Sequence, residues 1–428
     1  MATEGRFAGQ VRWLHKVRLY PTCAQENALL MMLKTTRELY NALLQQRRDA
    51  WTTRRQAFPG RRQYAEITEL RAAEPRFAAV YRECQDAVLH RLDLAFAAFF
   101  RRLKAGEVDA GYPRYKPARR WNQLEFPHGD RATKLDAKQQ RVRLPGVGDV
   151  RLRKGREVPA QVGRVFVVTK NGRWYAVFEA HRHAVARPAT GRSAGLDRGV
   201  RVLAALSDGT KIENLRPGST RKALVDLHQH ALDAVTVKDA RGRPTNHRDP
   251  ARIAAMRRLA RAKEREANAR RDWLHKVGRG IVERYDTIAL EALNVRNMTR
   301  SAKGTVEKPG KNVAAKSGLN RSLLDAGFGI LATLIREKAE YAVRTVIGVN
   351  PRFSSQTCAE CGHIASASRE GAWFRCVGCG HVDDADVNAA RVILMRAESP
   401  PTRAPAGSRD RSEFRHTGRT RGAQHDTA

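Results

Sequence analysis

Four of the six cysteines in this 428-residue chain stand as two CxxC pairs, Cys358 with Cys361 in CAECG and Cys376 with Cys379 in CVGCG, fourteen residues apart. This spacing turns two thiols toward one point, and the glycine after each pair accepts the backbone angles of a tight knuckle. The intervening residues leave room for a hairpin. Two facing knuckles predict a tetrahedral Zn2+ site of four thiolates, structural because no position stays open for water. A redox CxxC would not need a second copy. His363 and His381 lie beside the pairs. Four thiolates already complete the shell, so both histidines are expected to face solvent or nucleic acid. Cys23 is expected in a loop and Cys84 on an apolar helix face, neither with a functional role.

The formal charge is +36, from 80 Lys and Arg against 44 Asp and Glu, and it is spread along the chain. Such a chain repels itself unless polyanions meet it, which points to nucleic acid; a solvated basic surface is the alternative that charge alone leaves open. A hydrophobic content of 42% suffices for a sizeable core. No run approaches the roughly 18 apolar residues of a membrane span, and MATEGRFAGQVRW has no signal-peptide pattern. A cytoplasmic protein without a membrane partner is therefore expected, acting at the nucleoid if its partner is DNA.

Hydrophobic periodicity predicts a strand over Lys16–Tyr20 stopped by Pro21, then a helix over Ala24–Trp51 with Leu29, Leu33, Leu39 and Leu43 on one face. A second helix, Ala78–Leu103, carries Cys84, Val88, Leu92, Phe96, Phe99 and Leu103 on its apolar side. The two are expected to pack together, with the aromatic residues in the core. Short strand-like runs fill Glu125–Ala180, with Asn171-Gly172 as a hairpin turn, and suggest a small β-barrel interrupted by the helices. Strands are predicted within Ala194–Asp208, a basic helical stretch over Asp226–Glu283, and a strand ending at Glu291. Thr299–Ser317 is expected to be a mobile loop, followed by a helix through Leu324, Phe328, Leu331, Ile335 and Ala339 and a strand over Val346–Val349.

Three acids fall where apolar or small residues should dominate: Asp197 in GLDRG, Glu291 in ALEAL and Asp386 in DADVNAARVIL. Burying an unpaired carboxylate is costly, so such residues signal a cation. Three converging acids and a phosphate substrate suit Mg2+. Two such ions, about 4 Å apart, would serve phosphodiester hydrolysis. The spacing alone equally allows Asp197 and Glu291 to be solvent-facing strand ends and Asp386 to cap a helix. Asp383 and Asp384 compete for the third role.

These segments resemble the TnpB (OrfB) family of transposon-encoded RNA-guided DNA endonucleases, related to the compact type V CRISPR effectors. The resemblance runs from KVRLYPT to DVNAARVIL and rests on AGLDRGVRVLAALSDG, RRDWLHK, IALEALNVRNM, LNRSLLDAGFGILATLIREKAEYA, NPRFSSQTCAECG and FRCVGCGHVDDADVNAA. It implies a multidomain α+β chain: a leader and first wedge strand (1–23), a helical recognition domain (24–122) and a β-barrel wedge domain (123–190). An RNase H-like α/β RuvC nuclease core with a basic helical insertion and a lid loop (191–352), an inserted zinc ribbon (353–382), a last nuclease segment (383–397) and a disordered tail (398–428) complete it. It assigns Asp197, Glu291 and Asp386 as the catalytic residues holding two Mg2+, and selects Asp386 over Asp384 by the D-x-N-A-A pattern.

The implied partners are a guide RNA and double-stranded target DNA, cut beside a short target-adjacent motif, with the gene in a transposon or CRISPR-like locus. Arg375, Arg271 and Lys276 are candidate nucleic-acid contacts. Arg198, where many relatives carry an apolar residue, is expected to face solvent. A nuclease-silent RNA-guided repressor, a transposase and an unguided junction nuclease are the competing functions.

Overall fold

The computed structural model describes residues 10–107, 110–155, 159, 161–215, 219–304 and 309–399. The start of the expected leader and the expected tail from residue 400 onward lie outside them.

The first half builds one antiparallel sheet with helices inserted after its first strand. In chain order it comprises β1 (Gln10–Tyr20), α1 (Cys23–Arg54), α2 (Gly60–Ala73), α3 (Pro75–Ala78), α4 (Arg82–Lys104), β2 (Gln123–Phe126), α5 (Gly129–Ala132), β3 (Lys134–Asp136), β4 (Arg141–Leu144), β5 (Gly148–Leu152), β6 (Val162–Lys170) and β7 (Arg173–His183). Strand β1 begins well before the expected Lys16. Cys23 opens a helix rather than lying in a loop. Thr22 and Gln25 cap that helix reciprocally, each side chain bonding the other's backbone amide. Leu29, Leu33, Leu39 and Leu43 of α1 are buried in one core with Cys84, Val88 and Leu92 of α4, as periodicity predicts, and burial pushes the Cys84 thiol upward.

The sheet order is β2-β6-β7-β1-β5-β4-β3. Asn171 and Gly172, with φ of 54° and 70°, turn β6 into β7. Among the described residues no ladder joins β2 to β3, so the sheet is open at both edges.

The second half comprises β8 (Ser193–Asp197), β9 (Val202–Leu206), β10 (Lys211–Glu213), α6 (Ser219–Ala234), α7 (Pro250–Arg284), β11 (Thr287–Glu291), α8 (Val295–Met298), α9 (Val313–Ala326), α10 (Phe328–Ala342) and β12 (Thr345–Val349). A three-stranded ribbon, β13 (Arg369–Glu370), β14 (Trp373–Arg375) and β15 (Val382–Asp384), leads into α11 (Ala385–Glu398). The main sheet runs β10-β9-β8-β11-β12, antiparallel on the β9 side and parallel through β8, β11 and β12.

Several expectations change here. The basic stretch is two helices parted by a turn bridging Lys238 and Pro244. The expected loop ends early, because α9 begins at Val313; residues 305–308, inside the expected lid, lie outside the described residues. The helix expected to run through Leu324 breaks at Gly327 (φ 70°), leaving Leu324 exposed on α9 while Phe328, Leu331, Ile335 and Ala339 are buried on α10.

Strand alternation decides where the acids point. Ala194 and Leu196 of β8 and Ile288 and Leu290 of β11 join α7 and α10 in one core; Ala289 joins Val349 and Ile393 of α11 in another on the opposite face. Asp197 and Glu291 share the parity of Gly195 and Ala289, residues that are direct partners in the ladder. Both therefore project toward α11. Gly195 is what allows that helix so close: a Cβ there would overlap the carbonyl oxygen of Ala390 and lie 2.7 Å from the amide nitrogen of Leu394. Gly195→Ala is expected to lower stability by about 3 kcal/mol through backbone displacement. Thermal melting checks this; an unchanged melting temperature would contradict it.

Candidate active site and metal centre

The C-terminal ends of neighbouring parallel strands are the usual place for chemistry on an open α/β sheet. Asp197 ends β8 and Glu291 ends the adjacent β11. Asp386 enters from the first turn of α11. The cap of that helix is Asp384, whose Oδ1 accepts from the amides of Asp386 (3.1 Å) and Val387 (3.2 Å) while its Oδ2 meets Lys211 at 2.5 Å. Asp383 pairs with Arg391. Of the three neighbouring acids, Asp383 is held by Arg391 and Asp384 by Lys211 and the helix cap, while Asp386, paired with Arg369, is the one whose charge acts on Asp197.

Asp197 is pushed up to about 7 by burial first and then by the negative charges of Glu291 and Asp386, opposed by Arg369 and by the amide of Arg198. Its carboxyl therefore senses both other acids. Glu291 is buried, and its Oε1 accepts from Ser354 Oγ at 2.7 Å. Asp386 Oδ1 accepts from Arg369 at 3.0 Å. The carboxylates are set more widely than the cysteine sulfurs; among the described residues, the four cysteines are the group whose ligand atoms all lie within 4.8 Å of one another. A carboxyl that resists ionisation through burial first and neighbouring like charges second is nonetheless the environment a divalent cation relieves, and the all-oxygen donor set fits Mg2+.

Arginines depart most from the sequence reading. Arg198 is buried, not solvated: it donates to the carbonyls of Glu291 (2.5 Å) and Phe328 (3.1 Å), clamping the end of β11 to the start of α10. Arg198 directly follows the last residue of β8, so continuing the strand's alternation past Asp197 turns it to the opposite face. Arg375 lies exposed on β14. The guanidinium brought to the acids is that of Arg369, on β13, which sequence reasoning missed because ribbon pairing is a tertiary fact.

In the ribbon, Cys358 and Cys379 sulfurs stand 3.8 Å apart and those of Cys361 and Cys376 3.6 Å. A tetrahedron with bonds of about 2.3 Å has edges of about 3.8 Å, so the four thiols fit Zn2+. The two knuckles repeat one pattern. Cys358 and Cys376 amides donate to the carbonyls of His363 and His381, and Gly362 and Gly380, with φ of 74° and 73°, donate back to the cysteines. Both histidines thus serve through their backbones. Cys376 is held down to about 6, chiefly by the amide of Cys379 and also by that of Gly378, each 3.4 Å from its sulfur.

Arg271 and Lys276 are exposed on α7 and do not reach the acids; Lys276 pairs with Asp272 at 2.9 Å. Arg271 instead lines a groove of about 650 Å³ between α7 and α10 on one side and β1 and β7 on the other, with Arg12, Arg182, Arg279 and Lys338. Only Glu283 and Glu337 oppose these cations there. Burial and the neighbouring positive charges lower both Lys338 and His275. The groove is short of negative charge.

Residues 14–56 match a helix-turn-helix model, 170–302 a model described as a probable transposase, and 328–393 the Cas12f1-like TNB domain. The chain is 36% identical over 310 residues to a putative RNA-guided DNA endonuclease, InsQ, of Escherichia coli, covering 72% of each protein. It belongs to the TnpB family. A second relative, a putative RNA-guided DNA endonuclease of Streptomyces pristinaespiralis, is 26% identical over 96% of this chain and 95% of its own. The fold is shared with the protein of a Cas12f1, sgRNA and target DNA complex, at a TM-score of 0.54 and 12% identity over 90% of this chain and 99% of that one. That likeness is one of fold.

Proposed function

We propose that this chain is an RNA-guided, Mg2+-dependent DNA endonuclease of the RuvC type, cutting double-stranded target DNA beside a short target-adjacent motif and encoded in a transposon or CRISPR-like locus. The observation that carries the reading is the convergence of Asp197, Glu291 and Asp386 where β8, β11 and α11 meet.

Asp197, Glu291 and Asp386 would hold the ions, which when bound activate water and stabilise the leaving oxygen of a phosphodiester. The protein's own groups do the rest. Arg369, facing the acids from the ribbon, orients a scissile phosphate by a charge-assisted hydrogen bond. Arg198 fixes the backbone that carries Glu291. The groove lined by Arg271 neutralises the guide backbone, so RNA binding weakens as salt rises.

In this reading the strands of 123–190, with β1, form a barrel-like wedge and the helices of 24–122 the recognition domain. Residues 191–352 and 383–397 are the RNase H-like core, and 353–382 the ribbon. Protein purified with its bound RNA is expected to cut a matching DNA library only with Mg2+. Binding without cutting would favour the repressor, and cutting without RNA the junction nuclease.

A further inference from the structure

The helical insertion carries a pocket far from the acids in sequence and unlike anything the nuclease site needs. Periodicity assigned Phe96 and Phe99 to the core, yet both are only half-buried, and the neighbouring Phe100 is 58% exposed. Phe96 packs on the edge of the main core, while Phe100 leans on Phe96 and Phe99 and is open to solvent. Phe96 and Phe99 meet Tyr112 edge-on, with ring centroids 5.4 and 5.2 Å apart, and form a floor. Trp51, 50% exposed on the last turn of α1, and Tyr115 form the rim.

The wall is held in place rather than loose. Arg102 donates to the carbonyl of Gly111 at 3.0 Å, and Asn41 exchanges two hydrogen bonds with the backbone of Lys116. The pocket's volume is about 810 Å³, within the range of small-molecule and cofactor pockets.

Charge narrows the occupant. Arg47, Arg48 and Arg114 line the pocket, and among the described residues no Asp or Glu does. Arg47 is committed to Asp93 at 2.5 Å, but Arg48 lies over the Tyr115 ring and Arg55 over the Trp51 ring, with no carboxylate bound to either among the described residues. Half-exposed aromatic rings, two of them flanked by guanidinium groups without a carboxylate partner among the described residues, match a nucleobase joined to a phosphate: rings stack on the base and cations meet the backbone. A base inside a duplex has both faces covered, so the occupant must be unpaired. Thr52 and Gln56 at the edge add polar groups able to meet a ribose hydroxyl.

We propose that this pocket captures an unstacked base of single-stranded RNA. The inference requires RNA binding but not cleavage, so it stands or falls separately from the nuclease reading.

The test uses the full chain without Mg2+ and three labelled probes of equal length: single-stranded oligoadenylate RNA, its abasic ribose-phosphate counterpart, and oligodeoxyadenylate. Trp51→Ala combined with Phe100→Ala should weaken binding of the base-containing RNA by about ten- to a hundredfold and leave the abasic probe unaffected. Melting should not change, since both side chains are half exposed or more. Ultraviolet crosslinking of the unmodified protein to the same RNA, read by peptide mass spectrometry, should mark Trp51, Phe100 or Tyr115, which keeps the test decisive even if the double variant folds poorly. Equal losses for base-containing and abasic probes, crosslinks confined to other segments, or tighter binding of the deoxy probe than of the RNA would each overturn the proposal.

Discussion

Asp197→Asn is expected to abolish DNA cutting while making the metal-free protein harder to unfold at pH 8. The two effects share one cause. Asp197 belongs with Glu291 and Asp386 in a partly buried cluster that pushes its carboxyl from an ordinary 3.8 up to about 7. A carboxyl with a folded pKa above its unfolded one costs nothing below pH 4, where both states hold the proton. As pH rises from about 4 to 7 the unfolded chain ionises first, so the fold loses stability, and the full penalty applies above 7.

Asparagine cannot ionise, so the substitution lifts that penalty, on the order of 2 kcal/mol after allowing for the amide's own hydrogen-bonding needs. The gain should shrink as pH falls toward 4. Cleavage moves the other way. Losing a ligand to the cation forfeits several kcal/mol of transition-state stabilisation, about a thousandfold or more in rate. Added Mg2+ should raise the melting temperature of the unsubstituted protein more than that of the variant. A variant that cuts normally, or one that melts lower than the parent at pH 8 without metal, would refute this account of the site.

How much of this was legible in the sequence depends on the range of the interactions involved. The alternation in Ala-Gly-Leu-Asp and Ile-Ala-Leu-Glu already carried the parity that turns both acids to one face of the sheet. The same alternation implied that Arg198 points the other way, into the side where α10 packs; a charged residue read as solvated hid that signal. The knuckles were legible because they are local, each closing within a few residues. Arg369 and Ser354 were not, because their partners Asp386 and Glu291 lie far along the chain and no periodicity links them. The break at Gly327 was missed for a different reason. A single glycine within an apolar period reads as a tolerated helix residue, whereas here its φ of 70° ends one helix and begins the next. The exposed aromatic residues of α4 show the converse limit, since apolar spacing reports which residues share a face and not whether anything covers it.

Cys376→Ser is expected to remove cleavage as completely as loss of an acid, although its thiol belongs to the four-cysteine cluster and not to the acids. The argument runs through contacts that tie the ribbon to the acids. Asn388 on α11 is fully buried; its carbonyl accepts from the amide of Ala359 at 3.0 Å and its amide donates to the carbonyl of Thr357 at 2.8 Å, gripping the first knuckle. Arg369 on β13 reaches Asp386, and Ser354, just ahead of Cys358, reaches Glu291. Strand β15 ends at Asp384, the cap of α11.

Four thiols this close cannot all ionise without a cation, and binding of structural Zn2+ contributes about 10 to 16 kcal/mol in small zinc domains, comparable with the whole stability of a fold. A hairpin with so small a core, Cys358, Phe374, Cys376 and Ala385, cannot replace that. Without the metal the ribbon opens, Asn388 loses both partners, and Asp386 and Glu291 lose the groups that orient them. Excess Mg2+ should not rescue cutting. RNA binding should persist, because the groove between α7, α10, β1 and β7 shares no residue with the ribbon. Metal analysis should find one Zn2+ per parent chain and none in the variant, and hydrogen exchange should rise across residues 354–384 while the α7 and α10 core stays protected. Full activity in a zinc-free Cys376→Ser protein would show that the ribbon does not hold the acids in place.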